Sequence, residues 1–110
     1  MTVNDLLKVQ DFSAVVMAEP DREIEGVYIG DLLSWVMGRA KSGDAWITIM
    51  SNVNTIAVAT LADTACIVLA EGVTLDEEVK STAEAKGINV ISTSLPAYAA
   101  ALKLSQILNT

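Results

Sequence analysis

The stretch that decides the fold is AWITIMSNVNTIAVATLADTACIVL, residues 45–69. Nearly continuous apolar runs at residues 45–50 and 65–69 predict two strands that are buried on both faces. Residues 53–61 lie between them and predict a helix. A helix between two such strands is typical of parallel strands joined by a right-handed crossover. This stretch therefore predicts an α/β fold.

The same alternation continues to the carboxyl terminus. The predicted elements are a helix at residues 75–86, a strand at 88–91 and a helix at 95–108. Thr74 is the predicted cap of the first of these helices, Glu77 completes a capping box, and Gly87 ends the helix. Repeated strand–helix units predict a layered α/β/α domain with helices on both faces of a largely parallel sheet.

The first half of the chain is less regular. Residues 2–9 and 31–39 predict helices, residues 13–18 a strand, and residues 23–29 an extended segment. Thr2 is a candidate cap for the first helix, with Asp5 three residues later. These segments need not run in the direction of the later strands, so the sheet is either parallel or mixed. The length of 110 residues predicts one domain that spans residues 1–110.

The net charge of −7 bears on the partners of the protein. Such an acidic chain repels nucleic-acid phosphates and anionic membranes unless it has a basic patch, and its lysines and arginines are scattered. The apolar runs are too short to cross a bilayer, and the first residues carry an acid where a signal peptide carries a base. We expect a cytoplasmic protein with no nucleic-acid or membrane partner.

The residues needed for most catalytic sites are missing. The chain has no histidine, which removes the usual proton shuttle and the commonest transition-metal ligand. Its single cysteine, Cys66, lies in an apolar run and is interpreted as a core residue. No phosphate-loop or dinucleotide-binding motif is present. The sequence therefore predicts no catalytic residue, no metal ligand and no cofactor.

Acidic residues surround Arg22 in the segment before residue 26. They are Glu19, Asp21, Glu23 and Glu25. A solvated surface is the favoured interpretation, because alternate carboxylates on an extended segment do not converge by themselves. A metal site is the alternative. Arg22 is predicted to anchor its turn through an ion pair, with a grip on a ligand phosphate as the alternative.

Polar residues follow the predicted strands, where ligands of open α/β sheets bind. The candidate ligand-binding residues are Ser51, Asn52, Asn54, Glu71, Gly72, Thr93 and Ser94. One interpretation is that Asn52 and Ser94 cap the helices that follow them. The other is that these side chains and the free N–H groups of the helix starts bind an anion. The two roles are compatible.

Large apolar residues near the helix ends raise the question of association. Trp35, Met37, Trp46 and Met50 are candidates for exposed contacts, although the core is the default position for most of them. The predicted last helix is apolar almost all round, so either its own domain or a partner covers it. Exposed apolar patches often become dimer interfaces.

Two motifs resemble the DRTGG domain family. They are DREIEGVYIGDLLS at residues 21–34 and AKSGDAWIT at residues 40–48. The residues that carry the family motif are Asp21, Arg22, Gly26 and Asp31. The sequence departs from the family pattern at Glu25, Val27 and Gly30, where Thr, Gly and Ser are expected. The segment at residues 20–38 is otherwise interpreted as a strand-to-helix junction, with Asp31 at the helix start.

The resemblance implies a regulatory role. Domains of this family accompany nucleotide-sensing CBS pairs in regulated pyrophosphatases, and they are similar in fold to the N-terminal domain of HPr kinase. The resemblance implies a non-enzymatic regulatory or protein-interaction domain that acts through homodimerisation and association with a separate enzyme. The alternative is a sensor that binds a nucleotide or another phosphate compound at the carboxyl ends of the strands.

Overall fold

The computed structural model describes residues 1–108 of the chain. Its helices are α1 (Val3–Leu6), α2 (Leu33–Arg39), α3 (Val53–Ala62), α4 (Glu77–Lys86) and α5 (Ala97–Leu108). Its strands are β1 (Phe12–Val16), β2 (Gly26–Ile29), β3 (Asp44–Thr48), β4 (Cys66–Leu69) and β5 (Val90–Thr93). Every predicted element is present, with shifted ends. The largest shifts are at the end of α1, which was predicted to reach residue 9, and at the start of β2, which was predicted at residue 23, and both ends of β5 lie two residues later than the predicted 88–91.

The strands form one mixed sheet in the order β1-β5-β4-β3-β2. Strands β2, β3, β4 and β5 are parallel, whereas β1 runs antiparallel to β5. The prediction of a largely parallel sheet is confirmed, and of the two alternatives left open, parallel or mixed, the sheet is mixed. Since β1 and β2 lie at its two ends, each has one edge that pairs with no other strand among residues 1–108.

Helices cover both faces of this sheet, as the apolar runs predict. Neighbouring strand residues point to opposite faces. Ile47 of β3 packs with α1 and with Leu104 of α5 in one core cluster. Trp46 packs with Ile56 of α3 and Val79 of α4 in the other. The result is a three-layer α/β/α arrangement.

The helix ends test the predicted caps. Thr2 and Asp5 form the expected capping box of α1, and Gly87 ends α4 in a left-handed conformation with φ +72°. Thr74 is not a cap, because α4 begins only after Asp76. Leu75 is buried in the core just before the helix begins, which keeps this segment extended past Thr74.

Two further features of the chain bear on function. The pairing of β1 with β5 shifts register between Ala14 and Val16, so Val15 lies in a β-bulge. None of the helices within residues 1–108 has the length and apolar character needed to cross a bilayer.

Candidate functional site

The structure divides the predicted ligand residues between two cavities at the carboxyl ends of the parallel strands. Ser51 and Asn52 line an open groove of about 430 Å³ between the β3–α3 turn and the start of α4. We call it the α3–α4 groove. Gly72, Thr93 and Ser94 line a second cavity of about 290 Å³ beside β5, the β5 cavity. Within the described residues, Asn54 and Glu71 are exposed and line neither cavity.

The α3–α4 groove contains the start of α3. Asn52 is the N-cap of this helix, and its side-chain oxygen accepts a hydrogen bond of 3.2 Å from the backbone N–H of Thr55. The capping interpretation of Asn52 is therefore confirmed. Asp76 and Glu78 line the same groove. Their carboxylates oppose the binding of an anion there, even though the helix start favours one.

The turn after β4 uses its own polar groups. Glu71 and Gly72 both have positive φ angles, of 60° and 72°. Their N–H groups donate to the carbonyls of Leu95 and Thr93 at 2.9 Å. The buried Thr93 hydroxyl accepts from the N–H of Leu95 at 3.1 Å. These groups hold the β4–α4 and β5–α5 turns together, so they are already occupied.

Ser94 does not cap the last helix. The helix α5 begins at Ala97, and Ser94 lies exposed in the turn before it. The polar Ser94 side chain is therefore left at the mouth of the β5 cavity.

Arg22 of the family motif lies at the opposite end of the strands, before the starts of β2 and β4. Its guanidinium donates to the carboxylate of Asp63 at 3.0 Å and to the backbone carbonyl of the same residue at 2.9 Å. The Ser42 hydroxyl also donates to this carboxylate. These two donors hold the pKa of Asp63 below its usual value. The predicted ion pair of Arg22 is confirmed.

Asp31, the last motif residue, fixes the exit of β3. Its carboxylate accepts a hydrogen bond from the buried Thr48 hydroxyl at 2.8 Å and another from the N–H of Ile49 at 3.0 Å. It does not cap α2, whose N-cap position is Leu32. Asp31 therefore stabilises the turn that follows β3, and it lies just after the carboxyl end of β2.

The other two motif residues, Gly26 and Asp21, precede or begin β2. A Cβ atom at Gly26 would lie 2.7 Å from a carboxylate oxygen of the buried Asp44, so a larger residue there would require the Asp44 side chain to shift. Asp21 is exposed in the turn before Arg22. The motif residues thus lie at opposite ends of β2 and do not converge on one ligand site.

The comparisons with known proteins agree with this architecture. The model of the DRTGG domain family matches residues 9–107. The chain belongs to the DRTGG domain family. Among curated proteins, no match to this DRTGG domain is found.

One solved structure shows the fold of this DRTGG domain in a larger protein. It is the crystal structure of the CBS and DRTGG domains of the regulatory region of Clostridium perfringens pyrophosphatase, complexed with the activator diadenosine tetraphosphate. The sequences are 17% identical, and the TM-score is 0.71. The match covers 97% of this chain and 45% of that chain, so this DRTGG domain spans less than half of the solved regulatory region.

The acidic segment around Arg22 does not gather into a metal-binding cluster within residues 1–108. Glu23 instead pairs with the N-terminal ammonium at 3.3 Å. The Cys66 thiol is fully buried, and burial raises its pKa to about 12. It is a core residue of β4, as the sequence indicates.

The predicted apolar contact residues differ in exposure. Trp35 and Met37 of α2 are about half exposed, and the Arg39 guanidinium lies 3.8 Å from the centre of the Trp35 ring. The prediction that Trp46 is a candidate exposed contact is wrong, because this side chain is fully buried and its indole N–H donates to the Gly30 carbonyl at 2.8 Å. Met50 is half-buried.

A different exposed surface lies beside β2. A groove of about 530 Å³ runs between the strand residues Gly26–Ile29 and the residues Ala101 and Ser105 of α5. Tyr98 and Leu102 are exposed on the same part of this helix. We call these strand and helix residues the β2-edge surface. The sequence indicates α5 as a candidate contact helix. It does not indicate β2, because an edge strand is recognisable only once the strand order is known.

Proposed function

We propose that this DRTGG domain is a non-enzymatic regulatory module that forms a homodimer through the β2-edge surface and associates with a separate enzyme. The observation that carries the proposal is the combination of an open sheet edge with exposed apolar side chains. Ile29 is 48% exposed, Tyr98 75% and Leu102 44%. An exposed edge strand beside apolar side chains favours pairing with another chain.

The geometry of α5 supports this surface. Tyr98, Leu102 and Ser105 recur at helical spacing, so they share one face of the helix. This face adjoins the groove beside β2. Ala100 and Leu104, on the inner face, are fully buried against the sheet. The domain itself therefore covers the inner face of α5 and leaves Tyr98 and Leu102 exposed on the outer face.

A two-fold axis suits such an edge. Two β2 strands that pair antiparallel across the axis would extend each sheet into the other, and each α5 would meet its counterpart over the groove. Closed two-fold pairing uses the same patch on both subunits and leaves no further edge at that position. We propose this arrangement for the homodimer.

The lack of catalytic chemistry is part of the same proposal. The chain has no histidine, its only cysteine is buried, and Arg22 and Asp31 are engaged in structural contacts. The similar fold in a pyrophosphatase regulatory region supports a regulatory role. A separate enzyme would then be the second partner.

The oligomeric state across a dilution series tests the proposal. Light scattering should give twice the chain mass for the wild type at high concentration. Ile29→Glu and Leu102→Glu place charges in the interface and should give monomers. Leu61→Glu is the matched control, because Leu61 is 70% exposed on the last turn of α3, away from this surface. A monomeric wild type at every concentration, or a dimer unaffected by both interface variants, would refute the homodimer.

A second candidate function is a sensor for a nucleotide or another phosphate compound at the carboxyl ends of the strands. The observation that favours it is the activator bound by the pyrophosphatase regulatory region of similar fold. A ligand at 100 times its dissociation constant should stabilise the domain by about 2.7 kcal/mol. A thermal-shift series with a nucleotide panel measures this, and an unchanged melting temperature with every nucleotide would exclude nucleotide sensing.

A further inference from the structure

We infer that the β5 cavity binds a small organic anion that has an apolar body, and that Lys80 holds its anionic group. The inference deepens the second candidate function, ligand sensing, and rests on it. It moves the site away from the α3–α4 groove, which is the other cavity that contains predicted ligand residues.

Residues of β1, the turn after β4, β5 and α4 line the cavity. The bulge in β1 places Val15 in its wall, and the left-handed turn after β4 places Gly72 there. Ser92 of β5 and Lys80 of α4 also line the cavity. Bulges at sheet edges often direct a side chain towards a site, and the space where Gly72 would carry a Cβ is open within 4 Å.

Ser92 is an unusual residue at its position. The other residues of β5 are buried, whereas Ser92 is half-buried in the middle of the strand. An apolar residue would fill this position better if it only packed against α4. A hydroxyl on the wall of a cavity instead offers a hydrogen bond to a ligand.

The charges distinguish this cavity from the α3–α4 groove. The described residues that line the β5 cavity include Lys80 and four residues with hydroxyl groups but no acidic residue, and the carboxylate that pairs with Lys80, that of Glu77, is not part of this lining. The α3–α4 groove contains Asp76 and Glu78 and no lysine or arginine among its described lining. In a protein of net charge −7, an anion therefore meets less repulsion in the β5 cavity.

The rest of the lining defines the ligand class. Val15, Val73 and Leu75 are the apolar residues of the lining, beside the polar ones. A small number of polar groups on an apolar cavity is typical of small-molecule sites. A volume of about 290 Å³ suits a ring-sized body with one phosphate or carboxylate group.

Glu77 sets the affinity of this site. Its carboxylate lies 3.1 Å from the Lys80 ammonium, and the Glu77 side chain is 90% exposed. A bound anion would therefore compete with an exposed, weakly held partner. Removal of the Glu77 charge should free Lys80 for the ligand and raise the affinity.

The test is a titration of the ¹⁵N-labelled domain with phenyl phosphate, benzoate and uncharged benzyl alcohol, followed by amide chemical shifts. Either anion should shift the amides of Gly72, Lys80 and Ser92, and benzyl alcohol should bind at least about tenfold more weakly. Lys80→Met should weaken anion binding by about tenfold, and Glu77→Gln should strengthen it. Lys86→Met is the control, because Lys86 is an exposed lysine of α4 that does not line the cavity, and it should bind as the wild type does.

The outcomes separate this site from ligand sensing in general. Shifts centred on Ser51 and Asn52 would keep ligand sensing and overturn the assignment to the β5 cavity. Equal affinity of wild type and Lys80→Met, with both spectra folded, would also overturn it. If neither the anions nor any member of the nucleotide panel shifts any amide, both this inference and the second candidate function fail.

Discussion

Arg22 closes the carboxyl end of α3 by contacting Asp63 twice. Its guanidinium binds the carboxylate at 3.0 Å and the backbone carbonyl at 2.9 Å, while Asp63 adopts a left-handed conformation with φ 58°. The turn before β2 is thereby joined to the turn before β4. A cation at a helix carboxyl end also suits the helix dipole. The motif arginine thus connects two segments that are far apart in sequence.

Loss of this contact should destabilise the fold. Arg22→Met keeps the aliphatic stem but removes the ion pair and the bond to the carbonyl, and it should lower the free energy of unfolding by about 1 kcal/mol. Urea denaturation followed by circular dichroism measures the change. Lys8→Met is the control, because Lys8 forms only an exposed ion pair with Asp5 at 3.6 Å. An effect of Arg22→Met no larger than that of the control would contradict the structural role.

The contribution of this ion pair should depend on pH. The pKa of Asp63 is lowered in the folded state, first by the hydrogen bond from Arg22 and then by that from Ser42. Its stabilisation is therefore present above the usual value of 3.8 and lost as the pH falls through the lower folded pKa. The difference in unfolding free energy between the wild type and Arg22→Met should narrow over that range. A difference that stays constant into this acidic range would assign the whole effect to the bond with the carbonyl.

Asp31 should act through its acceptor oxygen rather than through its charge. Asp31→Ala removes the acceptor of the buried Thr48 hydroxyl and of the Ile49 N–H, and it should cost about 1–2 kcal/mol. Asp31→Asn retains an acceptor oxygen and should cost much less. Equal losses in urea denaturation for the two variants would show that the charge matters instead.

The alternation of strands and helices was predictable because it follows from burial alone. Parallel strands covered on both faces are buried at nearly every position, and every residue of β3 and β4 is buried, with apolar residues throughout β4 and in the centre of β3. The order of the strands was not predictable, since it depends on contacts between distant segments. The antiparallel direction of β1 and the open edge of β2 are therefore results of the structure.

The ligand residues were harder to predict than the fold. The Thr93 hydroxyl and the Glu71 N–H are suitable polar groups, but the conformation of their turns engages both in internal hydrogen bonds. The sequence does not show this, because it depends on backbone angles. Lys80 was missed for the opposite reason. Its spacing from Glu77 is typical of a surface pair on a helix, and only the packing of α4 places it at a cavity.

Two glycines should respond to alanine in opposite directions. Gly26→Ala would place a Cβ 2.7 Å from an oxygen of the buried Asp44, so it should cost about 1–3 kcal/mol. Gly38 lies inside α2, and a Cβ there would meet nothing within 4 Å. Gly38→Ala should therefore stabilise the protein by about 0.5–1 kcal/mol through helix propensity. Thermal and urea unfolding of the two variants check the signs, and a fully stable Gly26→Ala would refute the steric argument.

Cys66 should be unreactive in the folded protein. Burial raises the pKa of its thiol to about 12, so the reactive thiolate is scarce at neutral and mildly alkaline pH. The side chain is also fully buried, so a reagent reaches it only when the fold opens. A soluble aromatic disulfide reagent should label the native protein slowly and the urea-unfolded protein at once, with glutathione as the reference thiol. Rapid labelling of the native protein that accelerates from pH 7 to 9 as glutathione does would place the thiol at the surface and contradict its position in β4.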